Sequence, residues 1–272
     1  MKLFLDDFFQ RQWLGKDPFA EVENLDGKVF RNIKNRRTLK FSLDGKSFFL
    51  KHHRGVGWRE IFKNLFSLKL PVIGAGNEFR AIRKLEALQI KTMHCSAYGE
   101  KGFNPAARNS FIITEDIGEH RSLEEIAAER STNPVSRAQK VALIKRVASV
   151  SRTLHDNGVN HRDYYLCHFL MQANAAAENG FDLYLIDLHR VGIRKKIPSR
   201  YLFKDMGGLW FSAMDAGLSK ADCLRFIAEY ARCDLRSELE CNAAFWQKIN
   251  QTGEKLYKKE YNRPPRHAFS KR

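Results

Sequence analysis

Three charged side chains, far apart along the chain, could together carry out phosphoryl transfer. Asp163 lies in the stretch HRDYYLCHFL, Asp187 follows twenty-four residues later in LIDLHR, and Lys51 ends the upstream segment SFFLK. Phosphoryl transfer asks little covalent chemistry of a protein, so charges that hold ATP and Mg²⁺, and one carboxylate aimed at the acceptor hydroxyl, are sufficient. We predict that Lys51 binds the α- and β-phosphates, Asp187 binds Mg²⁺, and Asp163 accepts or orients the proton of the acceptor hydroxyl.

Local patterns predict the elements that carry Lys51. Short strands are predicted at residues 28–33, 38–43 and 47–52. Asp44-Gly45 is a strong hairpin signal before the third strand, on which Lys51 lies. A helix predicted from residue 77 to 88 places Glu78 in its first turn. A glutamate there is favourable to the helix dipole, and it could also form an ion pair with Lys51.

Other elements would carry the two aspartates and the adenine site. A long helix is predicted at 133–154, directly before the Asp163 loop, and a strand at 181–186 presents Asp187 at its end. Two further strands are predicted around 97–98 and 110–114. The second of these runs into Glu115 and Asp116, where the backbone of an interlobe hinge would bind adenine.

Arginines could replace the glycine-rich loop that covers the phosphates in a kinase-like lobe. The turn between the first two predicted strands is Asn35-Arg36-Arg37, and the guanidinium groups of Arg36 and Arg37 could hold phosphate oxygens. Arg190, which follows His189 in DLHR, could also contact phosphate.

His168 lies five residues after Asp163, where protein kinases use an asparagine to hold a second metal. A neutral imidazole is a poor Mg²⁺ ligand. Either His168 is part of the metal site, or it serves the loop while water completes the coordination.

The net charge of +16 draws the chain towards nucleic acid, anionic lipid or an acidic partner, without choosing among them. Much of it lies in two clusters: Arg31, Lys34, Arg36, Arg37 and Lys40; and Arg190, Arg194, Lys195, Lys196, Arg200 and Lys204. A solvated basic surface is the simpler explanation for both. The lack of an RRM, KH or helix-turn-helix signature argues against nucleic acid. We expect Arg194, Lys195 and Lys196 to face the acceptor.

Apolar runs and cysteine content indicate the cellular compartment of the protein. The sequence has no run of 18 apolar residues, and Asp6-Asp7 interrupts the first apolar residues, so we expect neither a membrane span nor a secretory signal. Five cysteines without a C-x-x-C pair argue against a disulfide framework or a structural zinc site. We therefore expect a cytoplasmic protein.

The segment 58–69 has apolar residues at helical spacing and is an insertion after the Lys51 strand. Trp58, Phe62 and Phe66 could form a core-facing stripe. Alternatively, the helix could dock on a membrane surface or on an acidic partner such as acyl carrier protein.

These features predict an α+β fold of the bilobal protein-kinase-like type, with a small, mainly β N-lobe and a larger, mainly helical C-lobe. We place the N-lobe at 1–118, with the helical insertion around 58–69, and the C-lobe with the catalytic loop and metal site at 119–260. Residues 261–272 are expected to form a flexible basic tail.

Longer motifs resemble one family. NHRDYYLCHFL, IDLHR, FLKHHRG, LPVIGAGNEFRAIRKL, FIITED and KDMGGLWFSAMDAGLS are similar to the lipopolysaccharide core heptose(I) kinase family, RfaP/WaaP, within the wider Kdo/WaaP group. The resemblance spans about residues 8 to 235. It implies transfer of the ATP γ-phosphate to the 4-hydroxyl of the first inner-core heptose, at the cytoplasmic face of the inner membrane of a Gram-negative bacterium. It also implies that His168 and DLHR are family features and that Asp205 supports the catalytic loop.

An acceptor of this kind carries lipid phosphates and Kdo carboxylates. A basic surface would hold it near an anionic membrane, each exposed Lys or Arg contributing about 1 kcal/mol. The lack of an APE-like motif between Asp187 and Asp205 favours a sugar over a protein as acceptor. The alternatives are a kinase of heptose II or Kdo, and an inactive kinase-like module that binds anionic lipid or an acidic protein. The intact set of Lys51, Asp163 and Asp187 argues against the inactive module.

Overall fold

The computed structural model describes residues 1–33, 35–66, 74–174 and 180–265. The chain divides into two compact units. Unit 1 comprises Met1–Lys84, Thr92–Gly118 and Leu188–Arg190, and unit 2 comprises Leu85–Lys91, Glu119–Asp187 and Val191–Arg272.

Unit 1 is built on a six-stranded antiparallel sheet with the strand order β1-β5-β6-β4-β3-β2. Its elements are β1 (Lys2–Leu5), α1 (Asp7–Gln12), α2 (Pro18–Asn24), β2 (Lys28–Ile33), β3 (Arg36–Leu43), β4 (Lys46–Arg54), α3 (Gly57–Phe66), α4 (Gly76–Ala87), β5 (Cys95–Lys101) and β6 (Asn109–Glu115). The last three residues of α4 belong to unit 2.

The two faces of this sheet have different chemistry because successive side chains on a strand point to opposite sides. On β4, Phe48 and Leu50 point into an aromatic core that α1 and α2 complete with Phe9 and Phe19. Each buried side chain of this size contributes about 1.5–3 kcal/mol. Lys51 therefore points to the other face, away from the aromatic core.

The strands predicted at 28–33, 38–43 and 47–52 are confirmed as β2, β3 and β4. Asp44 and Gly45, at φ 47° and 75°, form the tight turn that their sequence predicts. The predicted turn at 35–37 is wrong in extent, because Arg36 and Arg37 already belong to β3 and pair with Ile33 and Asn32. The backbones of both arginines are therefore part of the sheet and not of a turn.

The strands predicted around 97–98 and 110–114 are confirmed as β5 and β6. Each is longer than its pattern indicated. Along the sheet, β6 lies between β4 and β5, so its backbone is bonded on both sides.

Unit 2 is mainly helical, with two small antiparallel sheets ordered β10-β9-β7 and β11-β8. Its elements are β7 (Arg121–Ser122), α5 (Leu123–Ala128), α6 (Arg137–Asp156), β8 (Val159–Asn160), β9 (Phe169–Ala173), β10 (Phe181–Leu185), β11 (Gly192–Ile193), α7 (Ser199–Ala213), α8 (Lys220–Ala231), α9 (Leu235–Cys241) and α10 (Ala243–Tyr261).

The long helix before the Asp163 loop is present, but it begins later than predicted. Ser136 and Gln139 form a reciprocal capping box, and α6 therefore starts at Arg137 rather than at residue 133. After the helix, Gly158 adopts φ 73°, and a Cβ there would lie 1.7 Å from the Arg194 carbonyl oxygen. Glycine is thus required where β8 approaches the segment after β11.

The helices of unit 2 pack around a core of Ala148, Met206, Tyr230 and Ile249. Beside this core lies a predominantly apolar cavity of about 660 Å³, which the sequence did not predict. Its lining includes Leu143, Val147, Leu209, Ala213 and Ile227.

Helix α3 does not bury the aromatic stripe that a core-facing helix requires. Phe66 is 87% exposed, Trp58 and Phe62 are each 50% exposed, and only Ile61 of the four is buried. The core-facing interpretation of the three aromatic residues is therefore wrong. Residues 67–69 of the predicted helix lie outside the described residues, as do residues 266–272 of the predicted tail.

Within the described ranges, no helix has both the length and the apolar character needed to cross a bilayer.

Candidate active site

Lys51 and Glu78 form the ion pair that the sequence predicted. The Lys51 Nζ lies 2.6 Å from Glu78 Oε1, and the Glu78 side chain is only 2% exposed. Lys51 is held on both sides, opposite Thr38 of β3 and Ile112 of β6. A buried carboxylate is costly without a partner, so the pair fixes the position of the lysine amine.

Two features place Glu78 on the Lys51 face of the sheet. The Phe79 ring stacks on Tyr98 of β5, with centroids 4.2 Å apart. A Cβ on Gly76 would lie 3.0 Å from the Tyr98 hydroxyl and 2.9 Å from a Glu100 carboxylate oxygen. The start of α4 therefore lies against side chains of β5.

Asp163 lies in a loop, residues 161–168, whose backbone is held by a buried carboxylate. Asp205 of α7 accepts hydrogen bonds from the amides of His161 at 2.6 Å and Arg162 at 2.8 Å, and it is 1% exposed. Arg162 has φ 75°, a conformation that costs a non-glycine residue about 1–3 kcal/mol. Charge-assisted hydrogen bonds offset that cost. The prediction that Asp205 supports this loop is confirmed.

The same loop is tied to the segment that presents Asp187. The His161 Nε2 lies 2.9 Å from the Ile186 carbonyl oxygen, and the Ile186 amide donates to the His168 carbonyl oxygen at 3.0 Å. Because a carbonyl only accepts, His161 Nε2 carries a proton. Burial lowers the pKa of His161, so its ring is neutral and serves as a fixed link. Asp187 itself has φ 61°.

His168 contacts both the loop that carries Asp163 and the Asp187 side chain. Its Nδ1 lies 2.6 Å from the Asp163 carbonyl oxygen, and its Nε2 lies 3.6 Å from Asp187 Oδ2. Burial alone would lower the pKa of His168, but hydrogen bonds to Cys167 and to the Asp163 carbonyl, together with the Asp187 carboxylate, raise it to about 9. In this arrangement His168 is a cationic partner of Asp187. Metal ligation by His168 stays a prediction that requires loss of its proton.

The described residues contain no group of three or more His, Cys, Asp or Glu side chains placed to hold a metal ion. Mg²⁺ usually keeps several waters and binds through one or two carboxylates and substrate phosphates. The Asp187 carboxylate has the chemistry of such a ligand, and its role in binding Mg²⁺ stays a prediction.

The predicted nucleotide contacts have other partners within unit 1. Arg37 donates to the carbonyl oxygens of Glu23 at 3.3 Å and Leu25 at 2.7 Å, so it fixes the end of α2. Its contact with phosphate, like that of Arg36, stays a prediction.

Glu115 and Asp116 use their amides inside unit 1, donating to the carbonyl oxygens of His94 and Ser47, each at 3.0 Å. The Asp116 carboxylate pairs with Lys40. Burial raises the pKa of Asp116, but hydrogen bonds from Lys40 and the Gly118 amide outweigh it and lower the pKa. Adenine binding by these two residues stays a prediction, and it would have to use carbonyl oxygens.

The basic residues assigned to the acceptor divide into two kinds. Lys195 and Lys196 are exposed. Arg194 donates to Asn160 Oδ1 at 2.5 Å, and its guanidinium lies over the ring of Tyr201 at 4.7 Å. Arg190 lies in a 3₁₀ turn at Leu188–Arg190, and Asn77 donates to the carbonyl oxygen of His189 in that turn at 3.0 Å.

Four residues near these side chains were not predicted from the sequence: Asn77, Asn160, Tyr164 and Tyr201. Tyr164 is buried, and its hydroxyl bonds to Ser151 of α6 at 2.8 Å. Asn160 directly precedes the HRD triplet, and this position was the one local indication that Asn160 has a role at the site. Asn77 meets the His189 carbonyl across 112 residues, whereas Tyr164 meets Ser151 across 13. The contact of Arg162 with Tyr201 also joins residues far apart in the sequence.

A model of the lipopolysaccharide kinase (Kdo/WaaP) family matches residues 20–230, more than three quarters of the chain. The chain belongs to this family. The chain is 43% identical over 261 residues to the lipopolysaccharide core heptose(I) kinase WaaP of Pseudomonas aeruginosa, covering 96% of this chain and 97% of that protein. It is 47% identical over 237 residues to the protein of the same name from Escherichia coli, covering 87% and 89%.

A solved structure described as WaaP in complex with acyl carrier protein is similar in fold. It aligns with a TM-score of 0.81 and 39% identity, and the alignment covers 94% of this chain and 100% of that one. The α+β kinase-like fold predicted from the sequence is confirmed by this family and structural likeness.

Proposed function

We propose that this protein is an ATP-dependent kinase that phosphorylates heptose I in the inner core of lipopolysaccharide. The observation that carries the proposal is 43% identity, across 96% of the chain, to a protein named as the core heptose(I) kinase. The complete set of Lys51, Glu78, Asp163 and Asp187 supports it, because each group has the chemistry that its role requires. The 4-hydroxyl is the acceptor position that the family resemblance implies.

Each residue has a defined task in this proposal. Lys51, held by Glu78, binds the α- and β-phosphates of ATP. Asp163 orients the acceptor hydroxyl and receives its proton, on a loop that Asp205 keeps in place. Because phosphoryl transfer depends on positioning, the rigid support of these side chains is the chief contribution of the fold.

Mg²⁺ is the metal that fits the donor set, and when bound it would neutralise charge on the phosphates. Asp187 would hold it. His168, as a cationic partner of the same carboxylate, would fix the orientation of Asp187 before ATP and the metal bind. Arg190 would add a phosphate contact beside DLHR.

We propose that the enzyme works at the cytoplasmic face of the inner membrane as a peripheral protein. The net charge of +16 favours attraction to anionic lipid and to an acceptor that carries phosphates and carboxylates. Exposed Lys195 and Lys196 and the exposed aromatic residues of α3 are the surfaces that suit this contact.

Acyl carrier protein is the protein partner that we propose, because the similar solved structure is described as WaaP in complex with it. The basic character of this chain complements an acidic carrier. The apolar cavity of about 660 Å³ in unit 2 has the chemistry that an acyl chain requires. Co-purification of the carrier, identified by mass spectrometry, tests the partnership.

The proposed function is tested by mass spectrometry of core oligosaccharide from a strain that lacks this gene. We expect the loss of one phosphate from heptose I and its return when the gene is restored, but not when the Asp163→Ala variant is supplied. Loss of phosphate from heptose II or Kdo would favour the related kinases. An unchanged core would favour an inactive binding module.

A further inference from the structure

Three guanidinium groups of unit 2 surround one aromatic ring. Arg194, Arg200 and Arg162 lie over the Tyr201 ring, with distances to the centroid of 4.7, 4.8 and 5.8 Å. Arg200 also donates to the Tyr201 hydroxyl at 3.2 Å. Each such cation–π contact is worth about 0.5–1 kcal/mol at an exposed site.

No carboxylate in the described part of unit 2 balances Arg194 or Arg200, since neither forms an ion pair there. The chain from residue 190 to 204 contains six basic residues and no acidic one. The hydrogen bond from Arg200, followed by the charges of the arginines, lowers the pKa of Tyr201. The cluster therefore holds an excess of positive charge in a fixed arrangement.

The cluster is positioned beside the residue that acts on the acceptor. Arg162 directly precedes Asp163, and its amide is held by Asp205. Arg194 is anchored to the fully buried Asn160, on the strand that leads into the same loop. Arg200 and Tyr201 occupy the first turn of α7, whose N-cap residue Pro198 supplies no side-chain cap, so the positive end of the helix dipole adds to the charge.

We propose that Arg162, Arg194, Arg200 and Tyr201 form a subsite that binds an anionic group, a carboxylate or a phosphate, carried by the acceptor glycolipid near the hydroxyl that is phosphorylated. This inference rests on the proposed kinase function. The planar, forked guanidinium group can donate two hydrogen bonds to a pair of oxygens on either anion, and the Tyr201 hydroxyl adds a further donor. Binding such a group relieves the repulsion among the arginines and fixes the acceptor relative to Asp163.

Steady-state kinetics of the full chain test the subsite. Arg200→Gln should raise the KM for the acceptor roughly tenfold, the effect of losing one charge-assisted contact, and leave the KM for ATP unchanged. Arg200→Lys should recover only part of this loss, because an ammonium group keeps the charge but not the fork. Lys204→Gln is the matched control: Lys204 is exposed on the same helix but is not one of the three residues over the Tyr201 ring, so the change should alter neither KM by more than about twofold. Arg200 is exposed, so all three variants should fold, and their melting temperatures should agree.

Chemically altered acceptors identify the anion. One arm uses lipopolysaccharide with methyl-esterified carboxylates, and the other uses dephosphorylated lipopolysaccharide. On the acceptor that lacks the recognised group, wild type and Arg200→Gln should have the same KM. On the acceptor that keeps this group, their KM values should differ. An equal penalty for Arg200→Gln on all three acceptors would overturn the subsite. The subsite would also be overturned if Arg200→Gln and Lys204→Gln raised the KM for the acceptor equally, or if both lost binding to phosphatidylglycerol vesicles equally. Either result would indicate non-specific attraction by the basic surface.

Equilibrium binding of the unmodified acceptor, measured without ATP, separates this inference from the proposed function. If wild type binds the acceptor more tightly than Arg200→Gln but phosphorylates nothing, the subsite stands and the kinase proposal fails. If wild type phosphorylates heptose I and both proteins bind the acceptor equally, the kinase proposal stands and the subsite fails.

Discussion

Replacing Asp205 by asparagine should damage both stability and turnover. The Asp205 carboxylate accepts from the amides of His161 and Arg162, whereas an asparagine of the same shape offers one acceptor oxygen and one donor. One amide is therefore left facing an NH₂ group in a site that is 1% exposed. Losing a charge-assisted hydrogen bond and leaving a buried donor unsatisfied should lower the free energy of unfolding by about 2–4 kcal/mol.

Turnover should fall as well, because the released amides are those of the residues directly before Asp163. Displacement of a catalytic group by about 1 Å can cost 100-fold, so we expect Asp205→Asn to lower kcat by about 10- to 100-fold with little change in the KM for ATP. Urea unfolding and steady-state kinetics on the folded enzyme measure the two effects.

Asp222 provides the control for Asp205. It is also buried, accepts from the Ser219 amide and hydroxyl, and pairs with Lys140 and Arg225, but it caps α8. Asp222→Asn should lose about 1–3 kcal/mol of stability with kcat within about twofold of wild type. An Asp205→Asn enzyme of wild-type stability and kcat, or equal losses of kcat in both variants, would show that Asp205 does not position the Asp163 loop.

Four further substitutions test the base, the metal ligand, a buried histidine and the apolar cavity. Asp163→Ala should reduce transfer by ~100-fold or more and leave ATP affinity nearly intact; residual turnover within about tenfold of wild type would remove Asp163 from the role of base. Asp187→Asn should shift the Mg²⁺ dependence of kcat to higher concentration, and an unchanged dependence would place the metal elsewhere. Burial lowers the pKa of His53 from 6.5 to about 3, so its contribution to stability is complete above pH 6.5 and is lost as the pH falls towards 3. His53→Gln should therefore flatten the pH dependence of unfolding there by up to about 1.4 kcal/mol per pH unit, and an identical slope would contradict the neutral buried imidazole. Ala213→Trp, which fills part of the unit 2 cavity, should lower the yield of co-purified acyl carrier protein without a large change in melting temperature; an unchanged yield would exclude the cavity from that interaction.

Local sequence patterns predicted the parts of the fold whose determinants are local. The Asp44-Gly45 turn requires positive φ at both residues, and the alternation in β4 assigns Lys51 to the face opposite the aromatic core. Glu78 in the first turn of α4 follows from the helical periodicity that begins there. The Lys51–Glu78 pair then follows from the order of strand and helix in a kinase-like lobe.

Features that depend on distant contacts were not predictable in the same way. Arg37 was expected to lie in a loop, but pairing with β2 draws it into β3, where its side chain meets the end of α2. The apolar spacing in α3 does not reveal which side of the helix has a neighbour, so the exposure of Phe62 could not be predicted. Arg162 meets Tyr201, and Arg194 meets Asn160, across more than thirty residues, and no local sequence pattern indicates such contacts.

Transfer of the γ-phosphate of ATP to heptose I is the reaction that we propose for this chain. To test it directly, the purified chain is incubated with ATP, Mg²⁺ and lipopolysaccharide from a strain without core heptose(I) kinase activity. Mass spectrometry then locates the new phosphate. We expect one added phosphate on heptose I, at the 4-hydroxyl, and none with Asp163→Ala. A phosphate on heptose II or Kdo, or no transfer by a folded protein that binds both ATP and the acceptor, would contradict it.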